Sequence, residues 1–287
     1  MKIARLGQLN QERAAVILDE NSAVFVDHII KDWNRAELEN GALEKVSKLD
    51  FNSLAKVNLK DFRLGSPVAR PTKVICIGLN YARHAAETGA TPPAEPVTFM
   101  KAPDTVVGGN DEIIIPPDSK KTDYEVELCV VIKKSALYLK SPKEVNEYIL
   151  GYTISQDISE RHWQVERSGQ WMKGKSFPSF NPMGPYIVTH DELTASGKDA
   201  NNLRLWCKIN GEMRQDSNTN DLIFNIQHCI WYISQFMELK AGDVINTGTP
   251  EGVGMGFKPE KYLRAGQTVV TGIDGIGQFT NKVVAHK

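Results

Sequence analysis

In Asp123-Tyr124-Glu125-Val126-Glu127-Leu128-Cys129-Val130-Val131, Glu125 and Glu127 alternate with Val126 and Leu128. On a strand this alternation puts two carboxylates on one face and apolar side chains on the other. Comparable β-branched or aromatic runs bounded by Gly, Pro or Asp occur at Lys73 to Ile77, Val97 to Met100, Glu112 to Ile115 and Gly151 to Ser155. Between the last two strands, Ser141, Pro142 and Glu144 predict a helix start with a capping box. Asn210-Gly211 predicts a two-residue hairpin. Ile226, Ile230, Ile233 and Met237 recur at helical spacing, with Ala241-Gly242 as the expected stop. Strands dominate without regular strand–helix alternation. This excludes a doubly wound or TIM-type sheet and predicts an α+β, strand-rich fold.

Upstream, Ala14 to Leu18 and Ala23 to Val26 flank a turn-prone Asp19-Glu20-Asn21-Ser22, a hairpin pattern. About forty polar residues with scattered leucines follow, ending in Leu64-Gly65-Ser66-Pro67-Val68-Ala69-Arg70-Pro71. That Pro/Gly break predicts a small N-terminal α/β domain, 1–70, and a main body, 71–287.

The 287 residues carry a net charge of −1, with 41% hydrophobic and 24% charged residues. That balance excludes wholesale disorder and offers no basic footprint for nucleic acid or a membrane surface. A chain of this length buries roughly three quarters of its unfolded surface and needs no disulfide to fold. Cys76, Cys129, Cys207 and Cys229 form no C-x-x-C pair and sit among apolar neighbours, as reduced core thiols do. Met1-Lys2-Ile3-Ala4-Arg5 breaks polarity too soon for a signal peptide, and no stretch approaches the ~18 apolar residues of a membrane span. The expectation is a soluble, cytoplasmic protein.

Gly248-Thr249-Pro250-Glu251-Gly252-Val253-Gly254-Met255-Gly256 is glycine-dense, but it lacks the Gly-Lys-Ser/Thr ending of a phosphate-binding loop and the spacing of a dinucleotide turn. It reads as a tight loop whose backbone comes close to a ligand. Glu125 and Glu127 alone would fit a solvated strand face. Asp157, at the tip of the strand Gly151 to Ser155, adds a third carboxylate, and three such ligands without Cys favour Mg²⁺ or Mn²⁺. Arg161 and Gln164 follow Asp157 at i+4 and i+7, as on one helix face, and Lys175 follows in Gly174-Lys175-Ser176-Phe177. His84 and Glu87, at i and i+3, suit a carboxylate-oriented general base, and equally a surface His–Glu contact.

In this order, Ile75-Cys76-Ile77-Gly78-Leu79-Asn80-Tyr81 with His84-x-x-Glu87, Glu125-Val126-Glu127-Leu128, Asp157-x-x-x-Arg161-x-x-Gln164, Gly174-Lys175-Ser176-Phe177 and Gly242 to Gly254 resemble the fumarylacetoacetate hydrolase family over roughly residues 73–285. Within it, Ser217-Asn218-Thr219-Asn220 is similar to the 2,4-diketo-3-deoxy-sugar-acid hydrolase and domain-containing-2 branch. The resemblance implies a mixed β-roll and a homodimer. It implies Glu125, Glu127 and Asp157 as ligands of Mg²⁺ or Mn²⁺, and His84 with Glu87 as a water-activating dyad on a lid. Lys175 and Gln164 would polarise the reacting carbonyl, Thr249 would contact substrate, and Arg161 would brace the site. One departure is visible: the founding enzyme adds an aspartate at the metal, and Val74 to His84 contains no acid. The implied reaction is hydrolysis of a C–C bond in a 2,4-dioxo acid, an acylpyruvate or a 2,4-diketo-3-deoxy sugar acid, releasing pyruvate. Oxaloacetate decarboxylation, or another lyase or isomerase reaction through the same enolate, is the alternative. A metal-holding binding protein would need no base.

Overall fold

The computed structural model describes all residues, Met1–Lys287. The N-terminal strands are β1 (Lys2–Leu6), β2 (Arg13–Ile17), β3 (Ser22–Phe25) and β4 (Lys56–Asn58), with helices α1 (Arg35–Glu39) and α2 (Ala42–Val46) before the last. Next come β5 (Val74–Gly78), α3 (Ala82–Glu87), β6 (Val97–Lys101), β7 (Val106–Gly108), β8 (Ile113–Ile115) and β9 (Thr122–Asp123). The centre of the chain supplies β10 (Val126–Ile132), β11 (Ile149–Gln156), β12 (Ser159–Glu160), α4 (Met172–Lys175), β13 (Asn181–Thr189) and α5 (His190–Ala195). The last elements are β14 (Arg204–Ile209), β15 (Glu212–Asn218), α6 (Ile226–Ser234), β16 (Val244–Asn246), β17 (Thr268–Ile273) and β18 (Gly277–Ala285).

One large sheet runs β4-β3-β2-β1-β13-β11-β10-β16-β5-β6, and a second runs β15-β14-β17-β18-β8. Most pairs are antiparallel, while β16–β5, β18–β8 and β13–β7 are parallel. The expected α+β, strand-rich fold, a mixed β-roll, is the one observed. The hairpins are placed as the sequence predicts: β2 pairs with β3, and β14 with β15 across Asn210-Gly211, both at positive φ.

Strand β10 is buried along its whole length. Val126, Leu128, Val130 and Ile132 pack with Leu205, Cys207 and Val269 of the second sheet and with Ile226, Ile230 and Ile233 of α6. Cys129 and Val131 point the other way, into a cluster with Ile3, Val16, Val24 and Trp33. All four cysteines are free and buried. No helix is long and apolar enough to cross a membrane.

Three local expectations need correction. The segment after Ser141 is a 3-10 helix, Pro142–Tyr148, capped by Ser141, and Glu144 accepts from the Lys140 N–H, so the capping box does not close. Helix α6 ends at Ser234 rather than at Gly242, because Leu239 pairs with Ala136 and draws the chain into extended form. Asp157 and Arg161 do not share a helix, because β12 lies between them and pairs with β9.

The break at 65–71 lies inside a continuous sheet. Strand β1 pairs with β13, and the cluster containing Val16 and Trp33 also contains Cys76, Cys129, Leu150 and Val244. Arg63 ties Glu12 to Asp111 across the same junction. Because residues 1–70 and 71–287 share one core, differential scanning calorimetry should show a single cooperative transition. Two resolved transitions would identify 1–70 as an independent unit.

Candidate active site

The register of β10 and β11 builds the centre of the site. Val126 lies opposite Gln156 and Glu127 opposite Ser155, and one residue beyond, the Asp157 N–H donates to the Glu125 carbonyl at 2.9 Å. Glu125 and Asp157 therefore face each other across the ladder, with Glu127 two residues along on the same face. One carboxylate oxygen from each of the three falls within 4.8 Å of the others, and all three residues are buried. A solvated strand face is excluded: Glu125 is 4% and Glu127 2% exposed.

Three buried cations surround these acids. Lys175 Nζ donates to Glu125 Oε2 at 2.6 Å and to Asp157 Oδ2 at 2.7 Å. Arg161 bridges Glu125 at 2.7 Å and Asp123 at 2.8 Å. Lys101 Nζ reaches Asp157 Oδ1 at 2.5 Å and the Phe180 carbonyl at 2.6 Å. Burial disfavours the charged form of Glu125, but Lys175 and Arg161 bring its pKa down to about 2. Glu127 has the opposite balance: burial, then repulsion from Asp157 and Glu125, pushes its pKa well above the ordinary value.

The helical face expected for Arg161 and Gln164 is a single π turn, His162–Glu166, with Arg161 at its start. Arg161 Nη1 donates to Gln164 Oε1 at 2.9 Å, which turns the Gln164 amide nitrogen away from Arg161. Helix α4, which carries Lys175, rests on that turn. A Cβ at Gly174 would lie 2.5 Å from the Gln164 backbone nitrogen, so only glycine permits this approach.

The glycine-dense loop donates its amides to the protein's own carboxylates. Gly248 N–H donates to Glu127 Oε2 at 2.7 Å, Gly252 N–H to Glu87 Oε1 at 2.9 Å and Gly254 N–H to Asp123 Oδ1 at 2.6 Å. The Thr249 hydroxyl donates to the Val126 carbonyl and accepts from Gln215.

His84 and Glu87 lie on α3, with Nδ1 and Oε2 3.2 Å apart, and His84 is buried, which excludes a surface contact. A cavity of about 210 Å³ is lined by His84, Glu125, Glu127, Asp157, Arg161, Gln164, Lys175 and Thr249. Of the nine residues singled out from sequence, only Glu87 stands behind the wall, where it holds His84. Lys101 and Asp123 escaped the sequence reading. Lys101 ends the apolar strand β6, 56 residues before its partner Asp157. Asp123 was visible in the quoted stretch, but its role depends on Arg161 and the loop amides.

The residues fit a divalent cation. Three hard oxygen donors converge, and no cation of the chain pairs directly with Glu127, whose charged form a bound cation would stabilise. The family description "fumarylacetoacetate (FAA) hydrolase C-terminal" matches residues 73–284. The chain belongs to the fumarylacetoacetate hydrolase family. It is 42% identical over 279 residues to a Burkholderia ambifaria protein named "putative hydrolase", covering 97% of each chain. Fumarylacetoacetate hydrolase from Exiguobacterium antarcticum is 33% identical, with a TM-score of 0.87 over 100% of both chains. The 5-carboxymethyl-2-hydroxymuconate delta-isomerase of Mycobacterium smegmatis is 31% identical, with a TM-score of 0.78 over 100% of both chains.

Glu127→Gln removes one ligand charge while keeping an acceptor for Gly248 N–H. In chelator the variant should melt at or above the wild-type temperature, because a buried repulsion is gone. Added Mg²⁺ or Mn²⁺ should raise the melting temperature of the wild type and not of the variant. An equal metal-induced rise in both would remove Glu127 from the ligand set.

Proposed function

We propose that the protein is a divalent-metal-dependent hydrolase that cleaves the C3–C4 bond of a 2,4-dioxo acid, giving pyruvate and a carboxylic acid. The observation that carries this reading is one small cavity uniting three metal-type carboxylates with an oriented histidine and two carbonyl-polarising donors. Glu125, Glu127 and Asp157 would hold Mg²⁺ or Mn²⁺, which supplies Lewis-acid polarisation of the 2-oxo acid end and offsets negative charge that develops there.

The remaining steps belong to the chain's own side chains. Glu87 occupies His84 Nδ1, so Nε2 is the nitrogen left to take a proton from water. The hydroxide adds to the C4 carbonyl. Gln164 offers its amide nitrogen to the oxyanion, and Lys175, with two of its three protons on Glu125 and Asp157, offers the third, which otherwise has only a long 3.4 Å contact to the Asp157 carbonyl. Collapse breaks C3–C4, the bonding pair passes to the pyruvate enolate, and the proton held by His84 returns to C3. Arg161 keeps Glu125 and Gln164 in place, and Thr249 contributes its remaining lone pair to substrate. We place this chemistry in a cytoplasmic homodimer.

A second reading is isomerisation of a 2-oxo-ene acid through the same enolate, favoured by the likeness to the Mycobacterium smegmatis isomerase. Isomerisation moves a proton and releases no pyruvate, so coupled pyruvate detection separates the two. Loss of the base should lower hydrolysis by about 10²–10⁴-fold in His84→Ala. Glu87→Gln, which keeps a hydrogen-bonding partner for the imidazole, should lose less. Both variants should bind Mn²⁺ normally by titration calorimetry. Wild-type hydrolysis by His84→Ala would remove the dyad from the mechanism.

A further inference from the structure

The proposed reaction leaves the substituent on C4 undefined, and the uncharged part of the cavity wall bears on it. Apart from Thr88, Gln164 and Thr249 that part is apolar, with Ile77, Leu79, Phe99, Val165, Trp171 and Met255 as its larger side chains. Phe99 and Trp171 meet edge to face at 5.5 Å. Trp171 fits because residue 78 is glycine: a Cβ there would lie 2.3 Å from its ring. Both permanent cations lining the cavity are already committed, the third proton of Lys175 being the one assigned above to the C4 oxyanion. Arg161 bridges Asp123 and Glu125, and Lys175 bridges Glu125 and Asp157. His84 faces Glu87. The volume, about 210 Å³, is below the roughly 300–1,000 Å³ of pockets for drug-sized ligands.

We propose that this wall is the subsite for the C4 substituent and that it selects a short apolar group. The substrate is then a monoanionic acylpyruvate, with its single carboxylate at the charged end. This rests on the hydrolase reading above. A terminal carboxylate would lie against aromatic rings with no free cation, and a polyhydroxyl chain would bury more hydroxyls than Thr88 and Thr249 can partner. Both are discriminated against by desolvation rather than by size, so trimming the chain does not rescue them.

The test compares kcat/KM of the Mn²⁺-loaded enzyme on three 2,4-dioxo acids of similar length, ending in an alkyl group, a carboxylate or hydroxyls. The alkyl compound should lead by at least about tenfold. Gly78→Ala, which displaces Trp171, should shrink that lead. Val165→Lys, which adds a cation where Val165 is exposed at the cavity wall, should raise turnover of the dicarboxylate relative to the alkyl compound. Equal or better cleavage of the dicarboxylate or hydroxylated compound by the wild type overturns the proposal. If none of the three is cleaved, the hydrolase reading fails. The wall is then judged by calorimetry with 2-oxobutanoate and 2-oxoglutarate: tighter 2-oxobutanoate supports the apolar subsite, and equal or tighter 2-oxoglutarate refutes it.

Discussion

Four carboxylates and three cations share one buried volume where β10 begins and β11 ends. Asp123, Glu125, Glu127 and Asp157 face Lys101, Arg161 and Lys175, and every one of the seven is nearly inaccessible to water. Removing a charge from water costs several kcal/mol unless a partner offsets it. Six of these charges find partners within the chain, and Glu127 is left with a single backbone amide. With no cation of the chain beside it, Glu127 keeps the centre from being a closed ion-pair network and leaves a place where a bound cation would stabilise its carboxylate. Lys175 is held in the same way, by two short contacts to acids and one long contact to the Asp157 carbonyl.

The loop after β16 solves a related problem. Glycine-dense loops often present backbone amides to a bound anion. Here Gly248, Gly252 and Gly254 present theirs to Glu127, Glu87 and Asp123. The sequence reading expected this backbone to approach a ligand, and it could not see that the groups it approaches are the protein's own side chains.

The parts of the site that were legible are those coded by local periodicity. Glu125 and Glu127 follow from strand alternation, and His84 with Glu87 follows from the helical i, i+3 spacing. Asp157 was legible as a carboxylate at a strand tip, but its convergence with Glu125 is set by the β10–β11 register, which no local pattern records. Lys101 was invisible because a lysine ending an apolar strand looks like an ordinary solvated terminus until tertiary packing buries it against Asp157. At the level of the fold, strand content and both hairpins were legible. The π turn at His162–Glu166 and the early end of α6 were not, because each is imposed by a distant pairing, β12 with β9 and Leu239 with Ala136.

The same loop also makes the site mechanically one piece. Within seven residues it contacts Glu127 through Gly248, the cavity wall through Thr249, Glu87 through Gly252 and Asp123, the partner of Arg161, through Gly254. Two of its anchors lie on the rigid strand pair, since Thr247 and Thr249 donate to the Leu128 and Val126 carbonyls. Glu87, by contrast, sits on the short helix α3, whose six residues supply little stability of their own. The Gly252 amide therefore transfers the rigidity of β10 to the dyad. A displacement of the loop would shift the Glu87 carboxylate beside His84 and the hydrogen bond on Glu127 together, so the imidazole–carboxylate pair and the acidic cluster share one structural support.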